Sequence, residues 1–303
     1  MKIFLWFFLL LSVCVQGQDS LSFAKTEMIY GRKDGLALTM IMQTPRHPNG
    51  KAIISIVSGN WRSSYDMASR FEEKDQLYLK SGYTVFEVIP CSQPMYSIPD
   101  EVEDLKRAVR FIRFTSKQNG IDSNKIGITG ASSGGHLALM IATADDDADS
   151  NAKDPVDRVS SRVQAVAVFF PPTDFLNYGH QGFNASASQA ILVATGVSAA
   201  FDFKKWNDTT HTYVPIKDIE TRLKIARQNS PIYSVSPDDP PVMIIHGDAD
   251  RLVPIQQSEI IIKKFEEAKV PNKFIIKSGG GHGWKNNEIE EKNFVDWFDR
   301  YLK

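Results

Sequence analysis

The chain predicts an α/β fold: a doubly wound, mostly parallel sheet with helices on both faces and one inserted cap. Three observations carry this expectation. Short, almost wholly apolar runs at residues 52–57, 163–170 and 241–246 suit strands covered on both faces. Segments of helical period lie between such runs, the alternation that builds a parallel sheet. From residue 173 to 239 the alternation lapses over a stretch too long for a plain loop, which reads as the cap.

The 303 residues are 42% hydrophobic and 23% charged, ordinary globular values that suit one large α/β domain. A formal net charge of −1 offers no electrostatic reason to expect nucleic acid or anionic lipid as a partner. The basic start at Lys2, the apolar run behind it, and Val15 and Gly17 placed before Gln18 read as a signal peptide over residues 1–17. The apolar run is shorter than the ~20 residues of a membrane span, so no stable membrane insertion is expected after cleavage. A lipidated Cys14 is disfavoured by Val13 before it. The mature chain, residues 18–303, is then expected as a single secreted or periplasmic domain. Without Cys14, Cys91 is the last cysteine, so no intrachain disulfide is possible and the core must supply stability. Cys91 itself reads as a packed residue.

In chain order, residues 26–32 and 36–42 alternate around Lys33, Asp34 and Gly35, a hairpin signal. The strand at 52–57 leads through Ser58, Gly59, Asn60 and Trp61 to a helix over 64–80, stopped at Ser81 and Gly82. Residues 83–89 form the next strand. Residues 99–113 are a strongly periodic helix with Pro99 and acids at its start and basic residues later. The strand at 163–170 ends at Pro171 and Pro172. Within 173–239 one amphipathic piece stands out, residues 219–227. The sheet resumes at 241–246, a helix follows over 255–269, a strand over 273–277, and an amphipathic helix over 288–302. No internal repeat, zinc-ligand spacing or phosphate loop is present, so neither a metal nor a cofactor is expected.

The chemistry is concentrated at Gly130-Ala131-Ser132-Ser133-Gly134, between an apolar strand starting at Ile126 and a small, apolar helical segment. A serine at the tip of so sharp a turn is strained, and flanking glycines let strand and helix pass closely. The Ser133 N–H then lies at a helix N-terminus, placed to stabilise an oxyanion. A serine hydroxyl needs a base, and the base an orienting acid. Downstream, the loop after residues 241–246 carries Asp248 and Asp250. Asp250 is chosen because the glycine turn ends there, with Asp248 read as a turn residue bonding its own backbone. His282, in the glycine-rich loop after residue 277, is the only later histidine. His246 reads as structural at a strand end, His136 as a packing or hydrogen-bonding residue, and His47, His180 and His211 as surface residues.

Gly130 to Ala138, His246 to Pro254 and Gly281 to Trp284 resemble the α/β-hydrolase superfamily, in the branch of small secreted esterases and prolyl-oligopeptidase-like hydrolases. The similarity runs from about Ala52 to the C-terminus. It implies an α/β-hydrolase fold with Ser132 as nucleophile, Asp250 as acid and His282 as base. Such proteins usually carry His-Gly-Gly-Gly-Trp after the third strand, where this chain has Val57-Ser58-Gly59-Asn60-Trp61. The second oxyanion donor is therefore open among Ser58, Gly59 and Asn60, with a backbone N–H near Gly59 favoured. The expected activity is hydrolysis of carboxylic esters through an acyl-enzyme, on a small-molecule or polysaccharide-linked ester carrying an acetyl or feruloyl group. Two alternatives are an exopeptidase-like hydrolase and an inactive binding module on the same fold. The stretch before Ala52 is too short for the propeller usual in the first, and intact Ser132, Asp250 and His282 argue against the second.

Overall fold

In the computed structural model, which describes residues 23–146 and 148–303, strands β1 (Ala24–Lys33) and β2 (Leu36–Thr44) form an antiparallel hairpin. Its turn takes positive φ at Asp34 (48°) and Gly35 (83°), the geometry that matches hairpin twist. The signal peptide expected at residues 1–17 lies outside the described residues. The chain continues through β3 (Ala52–Ile56), α1 (Tyr65–Lys80), β4 (Thr84–Ile89), α2 (Ile98–Phe114), β5 (Ile126–Ala131), α3 (Ser133–Ala142) and β6 (Ala165–Phe169).

The segment up to β9 carries α4 (Gln189–Ala194), a small hairpin of β7 (Lys204–Asn207) and β8 (Thr212–Pro215), and α5 (Ile219–Gln228). Strand β9 (Val242–Gly247), α6 (Gln256–Glu267), β10 (Asn272–Lys277) and α7 (Glu288–Tyr301) complete the chain. Of the elements between β6 and β9, the sequence pattern exposes only α5. Strands β7 and β8 are four residues each and largely exposed, so they have no buried face to impose an apolar alternation.

The main sheet runs in the order β1-β2-β4-β3-β5-β6-β9-β10, antiparallel at β1–β2 and β2–β4 and parallel elsewhere. Alternation of side chains along each strand sorts the core into two layers. Ile54, Ile56, Val88, Ile128, Val168 and Ile244 face α2, α3 and α6, with Leu105, Leu137 and Phe265 among their neighbours. Ile53, Val85, Ala167 and Met243 face α1 and α7 through Tyr78, Phe294 and Phe298. Strands buried on both sides carry no polar alternation, which explains why their sequences are continuous apolar runs. The chain winds from β3 outward to β4, then returns past β3 to β5 and on to β6. That reversal leaves a crevice beyond the carboxyl ends of β3 and β5, the usual ligand position in an open α/β sheet.

Candidate active site

Ser132 sits between β5 and α3 with φ 55° and ψ −119°, a backbone conformation rare for a residue with a side chain. Its N–H donates to the Phe169 carbonyl at 3.0 Å, which ties the turn to the neighbouring strand. A Cβ on Gly130 would collide with the Gly134 carbonyl, so the close passage of strand and helix excludes any larger residue there. Ser132 Oγ lies 2.9 Å from His282 Nε2, and His282 Nδ1 lies 2.8 Å from Asp250 Oδ2. An ionised carboxylate can only accept, so Nδ1 carries the proton and Nε2 presents its lone pair to the serine hydroxyl. The Phe170 ring lies 4.6 Å from the imidazole and supports one side of it.

Asp250 Oδ1 accepts the N–H groups of Leu252 (2.8 Å) and Val253 (2.9 Å), which leaves Oδ2 for His282. His246 Nε2 approaches the same Oδ2 at 3.4 Å. Burial pushes this carboxyl up. The hydrogen bonds from His246, His282, Val253 and Leu252 outweigh burial and hold it well below the usual carboxylate range. Asp248 does not bond its own turn, as its position suggested. Its Oδ1 accepts the Gly279 N–H at 2.6 Å, joining the two loops that carry Asp250 and His282. The local turn role belongs to Asp250, because only there do two following N–H groups converge on one oxygen.

The loop after β3 requires a second correction. Gly59 donates its N–H to the Arg62 carbonyl at 2.9 Å and accepts the Arg62 N–H at 2.9 Å, so it is committed within the turn and is not a free donor. Asn60 and Trp61 form the tip with φ 54° and 52°, and among the described residues their N–H groups have no partner. Both line the cavity that contains Ser132. The Asn60 side-chain amide reaches the Thr195 carbonyl at 3.4 Å. Ser58 contributes its side chain: Ser58 Oγ meets Ser133 Oγ at 3.0 Å and braces this loop against the first turn of α3. The Ser133 N–H, at the start of α3, has no intrahelical acceptor.

The other histidines separate cleanly. His136 is fully buried and bonded to Trp61 and to the Asn229 carbonyl, and His246 is fully buried against Ser258 and the Val253 carbonyl. His47, His180 and His211 are exposed. The pattern of residue types gave no sign of Phe170, of Gln93 (whose amide bonds the Asn60 carbonyl at 2.5 Å), or of the Trp61–His136 bond. Among the described residues no group of three or more His, Cys, Asp or Glu side chains is placed to hold a metal ion.

The cavity beside Ser132 has a volume of about 70 Å³. Trp61, Phe175, Leu192, Val197 and Phe201 supply its apolar walls. Tyr178 also lines it, with its hydroxyl donating to the Leu252 carbonyl at 2.8 Å.

The BD-FAE family matches residues 40–265. A probable carboxylic ester hydrolase of Mycobacterium tuberculosis, LipM, is 25% identical over 182 residues, covering 57% of this chain and 35% of that protein. An acetylxylan esterase of Xylanibacter ruminicola is 30% identical over 142 residues, covering 47% of this chain and 28% of that protein. The chain thus spans about a third of the length of these curated relatives. Among solved structures, a truncated carbohydrate esterase from gut microbiota superposes with a TM-score of 0.71 at 24% identity, covering 92% of this chain and 98% of that one. A bifunctional GH43-CE protein of Bacteroides eggerthii superposes with a TM-score of 0.72 at 25% identity, covering 91% and 38%. The architecture is accordingly that of α/β-hydrolases.

Proposed function

The chain belongs to the BD-FAE family, and from that premise we propose that it is a serine hydrolase that cleaves short-chain carboxylic esters through an acyl-enzyme. The observation that carries this reading is the unbroken chain from Ser132 Oγ to His282 (2.9 Å) and from His282 to Asp250 (2.8 Å). Ser132 Oγ attacks the ester carbonyl while His282 Nε2 takes its proton. The imidazolium returns that proton to the departing alcohol, and water then repeats the sequence to release the acid. Asp250 keeps Nδ1 protonated and balances the imidazolium charge. The Ser133 N–H and the Asn60 or Trp61 N–H stabilise the oxyanion.

Cavity size supports the smaller of the two acyl groups considered above. About 70 Å³ is roughly half the ~150 Å³ that accommodates benzene in an apolar protein cavity. That small volume favours the methyl of an acetyl group over the aromatic ring of a feruloyl group as its occupant. Relatives named acetylxylan esterase and carbohydrate esterase support an acetyl ester carried on a polysaccharide. Residues 1–17 support a secreted or periplasmic setting for such a substrate. Among the described residues no helix is long and apolar enough to cross a membrane.

A panel of p-nitrophenyl acetate, butyrate and octanoate, acetylated and feruloylated xylan, and an aminoacyl amide tests the proposal. Acetyl esters are expected to react fastest, with kcat/KM falling as the acyl chain lengthens, and Ser132→Ala is expected to abolish turnover. Amide cleavage faster than ester cleavage, or an active and correctly folded Ser132→Ala protein, would overturn it.

A further inference from the structure

Gln93 lies just beyond β4, is 6% exposed, and belongs to none of the motifs that mark the site. Its backbone N–H donates to the Trp61 carbonyl at 3.4 Å. Its side-chain Nε2 donates to the Asn60 carbonyl at 2.5 Å and to the Gly196 carbonyl at 3.3 Å. Both side-chain partners are carbonyls, so the carboxamide must present its nitrogen, with one N–H available for each.

The consequence follows from peptide geometry. The C=O and N–H of one peptide unit point in opposite directions across its plane. The Gly59 carbonyl accepts from Arg62, which fixes the direction of the Asn60 N–H. The Asn60 carbonyl accepts from Gln93, which fixes the direction of the Trp61 N–H. Asn60 and Trp61 both occupy the left-handed region, which residues with side chains keep only when surrounding contacts hold them there. Gln93 supplies that hold from a separate loop.

The same nitrogen reaches the far wall of the cavity. Gly196 follows α4, and Asn60 Nδ2 and Arg62 Nη2 also point to carbonyls there, Thr195 at 3.4 Å and Gly196 at 3.5 Å. Leu192 and Thr195 of that segment line the cavity beside Ser132. One carboxamide therefore touches both the turn that offers oxyanion donors and the end of the helix that closes the acyl pocket.

We infer that Gln93 is a positioning residue for the oxyanion hole, holding the Asn60–Trp61 turn in donor geometry and fastening the end of α4 against it. This rests on the acyl-enzyme reading above. Gln93 touches neither Ser132 nor His282, and it acts on the reaction through the turn alone. Displacing a donor by about 1 Å is enough to cost on the order of 10²-fold in rate.

Gln93→Glu replaces the two donors with an acceptor of nearly the same shape, and Gln93→Met removes them without adding charge. Steady-state kinetics on p-nitrophenyl acetate would be measured together with the inhibition constant of a trifluoromethyl ketone, whose adduct with Ser132 carries the oxyanion. For either variant that retains the wild-type circular dichroism spectrum, kcat is expected to fall by about 10- to 100-fold with KM nearly unchanged. Ketone affinity should weaken by a similar factor. A fall in KM-related binding alone, unchanged ketone affinity, or a loss confined to Gln93→Glu would overturn the inference. Should both variants fail to fold, Gln93→Asn, which keeps the two N–H donors on a side chain one methylene shorter, decides: unchanged kcat and ketone affinity in that variant would overturn the inference equally. A wild-type protein inactive on every ester would instead refute the functional reading, so the two failures remain distinct.

Discussion

Asp250 and Asp248 stand two positions apart, and their surroundings assign them different work. Asp250 has one oxygen occupied by the N–H groups of Leu252 and Val253, and the other faces His282. In Asp250→Asn the side-chain oxygen must stay with those two N–H groups, so the amide nitrogen turns toward His282 Nδ1. That forces the imidazole proton onto Nε2, where it can no longer accept from Ser132. A loss of about 10⁴-fold in kcat is expected, the size found when a serine-hydrolase triad is held in the wrong tautomer. Asp248→Asn keeps an oxygen for the Gly279 N–H and should change kcat little. Rate measurements on the two folded variants check this, and equal losses would refute the assignment.

At the scale of elements, Asp250 and His282 are brought together by two loops crossing at the carboxyl ends of β9 and β10. Gly247 lies at that crossing, and a Cβ there would overlap the Gly280 carbonyl. The Ala249 N–H donates to the same Gly280 carbonyl at 2.9 Å, so the loops cannot separate without losing a backbone bond. Gly247→Ala is therefore expected to lower the melting temperature and to cut kcat/KM by on the order of 10²-fold, through displacement of His282 from Asp250. Thermal melts and kinetics of the purified variant test both parts. Wild-type activity would show that the crossing has slack.

Across the whole molecule, His136 joins three regions that the chain separates widely. Its Nδ1 accepts from Trp61 Nε1–H at 3.1 Å, so Nε2 carries the proton and donates to the Asn229 carbonyl at 2.8 Å. The Asn60–Trp61 turn, helix α3 and the end of α5 are thereby tied through one neutral imidazole. Burial lowers its pKa to about 4, although the bond to Asn229 works in the other direction. An unfolded chain takes up this proton near pH 6.5, whereas the folded protein resists until about pH 4. The unfolded state thus binds more protons in that window, and stability is lost as pH falls through it, by roughly 3 kcal/mol when complete. Burial raises the Asp75 and Glu101 carboxyls, which act with the opposite sign, so the comparison must be with a variant. His136→Phe keeps a ring against Trp61 and Phe175 but cannot titrate. The stability gap between wild type and His136→Phe, from urea denaturation, should narrow between pH 7 and pH 4. A constant gap would exclude His136 as the titrating group.

Local sequence determined the strands, most of the helices and the strained turn at Ser132. Period-2 and period-3.6 burial leave their mark within a few residues, and so does a glycine required by close packing. For the same reason the loops bearing Asp250 and His282 stood out: each follows an apolar strand and is rich in turn-forming residues. Tertiary structure alone decided that Gly59 is committed to Arg62, that Asp248 bridges to Gly279, and that Gln93 reaches both Asn60 and Gly196. It likewise decided the pairing of Trp61 with His136 and the short elements between β6 and β9. Gln93 is 33 residues from Asn60 and 103 from Gly196, and Trp61 is 75 from His136. A hydrogen bond over such a separation depends on where the sheet order brings two loops, and it imposes no periodicity on the residues around either partner.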